Sequence, residues 1–164
     1  MATPTETTTA PYAHIACCID ESEGAERALT EARRLRALGP GRLSVVTVAA
    51  YPLLVDGDGE DPDDIEAVAE RWLERRMRDV PEGAPVLLHG FPPVAVCEWA
   101  REARPDLLVA GAHRSRVERA LLGSFAAYLA HHAPCAVLLV RPAHAAAPSE
   151  AAAAPSSETE RMTR

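Results

Sequence analysis

Short apolar runs alternate along this chain with longer stretches whose apolar residues recur every three or four positions. Residues 13–19, AHIACCI, form a nearly unbroken apolar run, the pattern of a strand buried on both faces. Asp20, Glu21 and Ser22 interrupt it. Ser22 suits a helix N-cap, and Glu23 and Glu26 fall in a first turn, where the helix dipole favours acids. Ala25, Ala28, Leu29, Ala32 and Leu35 then form a helical stripe that Gly39-Pro40-Gly41 stops. Residues 43–49, LSVVTVA, predict a second strand. A polar loop over roughly residues 51–61 follows. Beyond it Ile65, Ala69, Trp72 or Leu73, and Met77 recur at helical spacing, with Glu and Arg between them as a solvated face. Residues 86–89 predict a third strand, and Phe91-Pro92-Pro93 opens a helix to about Arg104. Residues 106–111, DLLVAG, predict a fourth strand. A short helical or turn segment over 117–122 leads to Gly123-Ser124, which starts a last helix through about His132. Pro134 ends that helix, and residues 135–141, CAVLLVR, predict a fifth strand.

Strands that alternate with helices in this way pair in parallel through right-handed crossovers, with helices on both faces of the sheet. The fold class is therefore α/β, a doubly wound five-stranded parallel sheet. In such sheets ligands bind beyond the carboxyl ends of the strands, where strand order reverses. The loops that matter are residues 20–22, 48–51 and 111–124. Residues 1–12 are Thr-, Pro- and Ala-rich and read as a flexible arm. Residues 143–164 are too poor in bulky apolar residues for a core and read as a disordered Ala/Pro/Ser/Glu-rich tail. The domain is residues 13–142.

Composition narrows the function. The chain has 164 residues, 48% hydrophobic and 25% charged, with a net charge of -7. That suits one globular domain and disfavours a protein held on nucleic acid or anionic lipid by diffuse positive charge. No apolar run is long enough to span a bilayer, and the first residues lack the basic and apolar regions of a signal peptide. All 17 basic residues are Arg, so no Lys is available to grip a phosphate or form a Schiff base. Cys17, Cys18, Cys97 and Cys135 show no metal-binding spacing and read as buried, reduced thiols of a cytoplasmic protein.

The segment after the fourth strand, GAHRSRVERALLGS, carries the clearest chemistry. Gly111 ends a buried strand, where backbone can approach a ligand closely. Gly123-Ser124 opens a helix whose free N–H groups favour an anion, and Arg114, Arg116 and Arg119 lie between. The pattern suits a phosphate site. It equally suits a plain helix cap beside solvated arginines.

Residues 111–141, GAHRSRVERALLGSFAAYLAHHAPCAVLLVR, resemble the C-terminal half of the universal stress protein domain, whose motif runs G-x-x-G-x9-G-[ST], a helix, then H-x-P-x-P-V-x-V-V. GFPPVAVCEWAREARPDLLVAG, residues 90–111, and HIACCIDESEGAERALTEA resemble its earlier helices and strands, so the likeness covers about residues 13–142. The resemblance implies strand order 3-2-1-4-5 and, in members that bind it, an ATP site. Asp20 matches the Asp that helps hold the adenosine part, and Val48 the Val that touches adenine. Gly111, Gly123 and Ser124 match the ribose and phosphate positions, with His113 and Arg114 beside the phosphates. The chain departs from the motif at one place. Only 11 residues separate Gly111 from Gly123, against 12 in the family, and the second Gly is missing. A tight anion-wrapping turn there costs a non-Gly residue about 1 kcal/mol or more, so triphosphate binding should be weakened. The resemblance also implies a homodimer through strand five, an apolar edge without Lys or Pro inside it.

The remaining candidates have plainer accounts. His113 has no Ser or Asp at triad spacing, so no catalytic residue is assigned. The acidic loop DGDGEDPDD lacks EF-hand spacing, and His131 and His132 diverge on a helix, so no metal site is assigned. Trp72 and Trp99 should pack helices onto the sheet. The expectation is a non-enzymatic, cytoplasmic stress-response module that binds an adenine nucleotide. Its alternative is a nucleotide-free dimeric interaction protein of the same fold. An enzyme of phosphate hydrolysis or transfer is the third reading, for which the sequence offers no positioned base or P-loop.

Overall fold

The computed structural model describes residues 11–50, 62–112 and 123–141. Most of the N-terminal arm, the acidic loop, the 117–122 segment and the tail lie outside these residues. The described chain runs β1 (His14–Cys18), α1 (Glu23–Arg36), β2 (Arg42–Ala49), α2 (Pro62–Met77), β3 (Gly83–His89), α3 (Pro92–Ala103), β4 (Leu107–Gly111), α4 (Ser124–His132) and β5 (Ala136–Val140). All the strands pair in parallel, in the order β3-β2-β1-β4-β5. The expected element order and strand order are both present.

Side-chain alternation sorts the core into two layers. Ile15 and Cys17 of β1, Leu43 and Val45 of β2, and Leu107 and Val109 of β4 pack with Ala28, Leu29 and Leu73 of α1 and α2. Ala16 and Cys18, Val46, and Leu108 and Ala110 face the other way, onto Val96, Cys97, Ala100 and Leu129 of α3 and α4. Trp72 joins the first layer and Trp99 the second, the packing role expected of them. Every residue of β1 is buried, as its unbroken apolar run requires.

The ends of the elements follow their local chemistry. Ser22 caps α1, its side-chain oxygen accepting from the Ala25 N–H at 3.1 Å. The helix stops at Arg36, ahead of the Gly-Pro-Gly, and the Arg36 guanidinium donates to the Gly39 carbonyl at 2.6 Å. β3 starts at Gly83, earlier than the sequence pattern suggests. Pro85 is tolerated there because β3 is an edge strand. Gly41 fits tightly against the chain before β1: a Cβ there would stand 2.3 Å from the Tyr12 carbonyl oxygen.

One polar cluster sits at the amino end of the sheet. His14 opens the apolar run of β1 and is only 4% exposed. An Arg42 guanidinium nitrogen lies 2.9 Å from its Nδ1, and Ser44 Oγ lies 2.9 Å from its Nε2. Arginine only donates, so Nδ1 is the acceptor and the ring proton is on Nε2, donating to Ser44. The His14 N–H donates to Asp106 Oδ2 at 2.8 Å, and the Asp106 N–H donates back to the His14 carbonyl at 2.8 Å. Trp99 meets the imidazole edge to face, with ring centroids 6.2 Å apart. Burial, reinforced by the Arg42 charge, lowers the His14 pKa and so favours the neutral ring.

Candidate functional site

A cleft of about 460 Å³ opens at the carboxyl end of the strands, where β1 lies between β2 and β4. Doubly wound sheets place ligands at this reversal of strand order. Asp20 and Ser22 reach it from the turn after β1, and Val48 and Ala50 from the end of β2. Gly111 closes β4, and Gly123 and Ser124 open α4. Five of the sequence candidates therefore come together here: Asp20, Val48, Gly111, Gly123 and Ser124. His113 and Arg114 lie outside the described residues.

Each wall has a local cause. Asp20 Oδ1 accepts from the Ser22 N–H at 2.9 Å, a turn that leads straight into the cap of α1. That turn holds the carboxylate at the rim, where it is exposed. Gly111 is there for packing as well as for access. A Cβ on it would stand 2.6 Å from the Gly24 carbonyl carbon and 2.7 Å from its oxygen, so α1 and β4 meet backbone to backbone.

The far end of the cleft is the start of α4. Gly123 is its N-cap and provides no side-chain hydrogen bond, and no acid occupies the first turn. By contrast, the start of α1 is filled by its own serine. Without a side-chain cap or a first-turn acid among the described residues, the start of α4 is an anion-favouring helix end at the cleft. Of the described lining residues only Asp20 carries a formal charge.

Cys18, Val96, Thr47 and Phe125 also line the cleft, and sequence reading did not single them out. Periodicity assigns the first three to the core, and they are buried. What it cannot give is which core residues lie under the open end of the sheet. Burial, together with the neighbouring Cys97 and Cys135 thiols, pushes the Cys18 pKa up to about 12. The thiol is therefore protonated at neutral pH and is no nucleophile. Cys17, Cys18 and Cys97 are buried and Cys135 is half-buried; all are free thiols. The described residues contain no group of His, Cys, Asp and Glu arranged to hold a metal ion, and none of their helices is long and apolar enough to cross a membrane. The cleft has an apolar floor, a carboxylate at one end and a helix N-terminus at the other. That arrangement can hold a molecule with a flat apolar part, hydroxyls near Asp20 and an anionic end.

Residues 11–141 match the family model described as the universal stress protein family. Among solved structures, the universal stress protein UspA from Lactobacillus plantarum is 25% identical, with a TM-score of 0.69, over 81% of this chain and 100% of that one. A universal stress protein solved in complex with cAMP is 24% identical, with a TM-score of 0.59, over 80% of this chain and 98% of that one. A universal stress protein family protein from Arabidopsis thaliana with AMP bound is 13% identical, with a TM-score of 0.54, over 84% of this chain and 96% of that one. The last two likenesses speak to the fold alone.

Proposed function

The chain belongs to the universal stress protein family, and from that premise we propose that it is a non-catalytic, cytoplasmic adenine-nucleotide-binding module that works as a homodimer. The observation that supports this reading is the cleft that joins Asp20 and Val48 to Gly111 and the start of α4. In this reading the base lies by Val48, the ribose hydroxyls donate to the Asp20 carboxylate, and the phosphates meet the N–H groups after Gly123. Ser124 donates its hydroxyl to the same phosphates. Catalysis has no part in the reading: the sequence carries no triad spacing and no P-loop, and the thiol that lines the cleft is protonated.

Calorimetric titration with ATP, AMP and GTP tests it. We expect the adenine nucleotides to bind and GTP to bind more weakly. Asp20→Ala should weaken AMP by about tenfold, the loss of one or two hydrogen bonds to a charged group. Equal affinity for GTP, or an unchanged affinity in the variant, would overturn the placement. The short loop between Gly111 and Gly123, without the family's second glycine, favours a second reading: a nucleotide-free dimeric interaction protein of the same fold. Extracting the purified protein for bound nucleotide separates the two.

The dimer rests on β5. It is a sheet edge whose residues are half-buried except Ala136, and it carries no charge or proline. Antiparallel pairing across a two-fold axis would satisfy its free backbone groups and cover Val137 and Leu139. Light scattering at micromolar concentration should then report about twice 17.6 kDa. A protein that stays monomeric, both intact and without residues 143–164, would refute it.

A further inference from the structure

We infer that Phe91 is the specificity-determining residue for the base: its ring stacks on the outer face of a purine held in the cleft. The inference rests on the nucleotide reading and deepens it by naming what favours one class of base over another.

Phe91 is among the large apolar side chains that stand most exposed in the described residues, with 56% of its surface in water. A single exposed apolar residue needs no explanation by itself, but this one stands beside the cleft. The Gly90 N–H donates to the Ala49 carbonyl at 3.2 Å, which ties the end of β3 to the end of β2. Gly90 turns the chain there with a φ of 106°, a conformation that suits glycine. Ala50 and Pro92, the residues next to that tie on each segment, both line the cleft. Phe91 lies between Gly90 and Pro92, at the rim, and belongs to neither core layer.

The cleft meets two helix starts of opposite character. The first two positions of α3 are Pro92 and Pro93, which have no N–H. The next two N–H groups, of Val94 and Ala95, both donate to the Phe91 carbonyl at 3.0 Å. An anion therefore gains little at the start of α3, and the phosphates belong at α4, where no proline intervenes. The α3 end is the base end, and Val48, Ala50 and Pro92 make it aliphatic. Among the described lining residues the one aromatic ring is Phe125, which is on α4. A base resting on Val48 thus has an apolar floor and turns its other face to water. Rotation about the Phe91 Cα–Cβ bond brings the ring over that face. Stacking reads the area of a base rather than its edges, so a purine gains more than a pyrimidine.

Calorimetric titration with AMP and UMP tests this on the full chain. The wild type should bind AMP more tightly than UMP. Phe91→Ala should weaken AMP about tenfold, the loss of one base–aromatic stack, and should weaken UMP less. Phe91→Tyr keeps the ring and should keep the affinity for AMP. Phe91→Trp places an indole at the rim, and AMP should quench its emission beyond any change seen in the wild type. Unchanged AMP affinity in Phe91→Ala would overturn the inference, as would an equal loss for AMP and UMP, the mark of a merely structural role. Either result, with AMP still bound by the wild type, leaves the nucleotide reading standing. A wild type that binds neither nucleotide overturns that reading and this inference with it.

Discussion

Replacing Gly111 by Ala should destabilise the protein by about 3 kcal/mol, the upper part of the range for overpacking a closed core. The added methyl would meet the Gly24 carbonyl carbon at 2.6 Å, its oxygen at 2.7 Å and its Cα at 3.0 Å. These are backbone atoms, so no rotamer change can relieve the contact. The first turn of α1 must retreat from β4, and Ser22 and the cleft wall move with it. Ligand binding at the cleft should fall along with stability. The reciprocal change is the control. A methyl on Gly24 would stand 3.6 Å from Ser22 Oγ and 3.7 Å from the Gly111 Cα, ordinary contact distances. Gly24→Ala lies inside a helix and should be neutral or stabilising by up to about 1 kcal/mol. Urea unfolding of both variants decides the matter. A loss below about 1 kcal/mol for Gly111→Ala would mean that α1 can shift at little cost.

Acid should destabilise the fold through His14. Its folded pKa lies below the ordinary 6.5, because the ring is buried and Arg42 faces it. The unfolded chain therefore takes up the proton more readily than the folded one. Above the unfolded pKa the group leaves stability unchanged. As pH falls from about 6.5 toward the folded pKa, stability is lost, by at most about 1.4 kcal/mol per pH unit. Geometry gives the same sign. A proton on Nδ1 would face the Arg42 guanidinium, a donor, at 2.9 Å. The groups around the ring come from several elements: Arg42 and Ser44 from β2, Trp99 from α3, Asp106 just before β4, and the Ala103 and Arg104 carbonyls. Asp106 and the carbonyls favour the proton, and burial and Arg42 outweigh them. Urea unfolding of the wild type and of His14→Gln across about pH 5 to 8 isolates the contribution. Parallel stability profiles for the two proteins would refute it.

His14 also marks the limit of what the sequence offered. The run AHIACCI predicted β1 and its burial, because a central parallel strand must be apolar on both faces. Nothing local in that run pointed to Arg42, Ser44 or Asp106, which lie 28, 30 and 92 residues away. Element type was readable wherever periodicity was clean. The start of β3 was not, since Gly83-Ala84-Pro85 looks like a turn and becomes strand only because it lies on an edge. The order of the strands came from family resemblance rather than from the pattern of apolar residues. At the cleft, Ser124 was legible from the helix start and the 20–22 turn from the end of a buried strand, while the choice of Asp20 within that turn came from family resemblance. Thr47 and Phe125 were not, because alternation assigns each to a face and says nothing of whether that face ends under a cavity.

The two margins of the sheet differ in a way that bears on growth. β3 carries Pro85, which has no N–H to offer a newcomer, and Ala84 beside it is exposed. β5 has no such interruption. A molecule with one sticky margin and one blunted margin can join a copy of itself margin to margin, and the pair then has only blunted margins left. Pairing of the proposed kind would be favoured to end at two chains rather than run on into a filament. For a protein rich in apolar strands that pairs in this way, a single proline would then discourage growth at the outer margin.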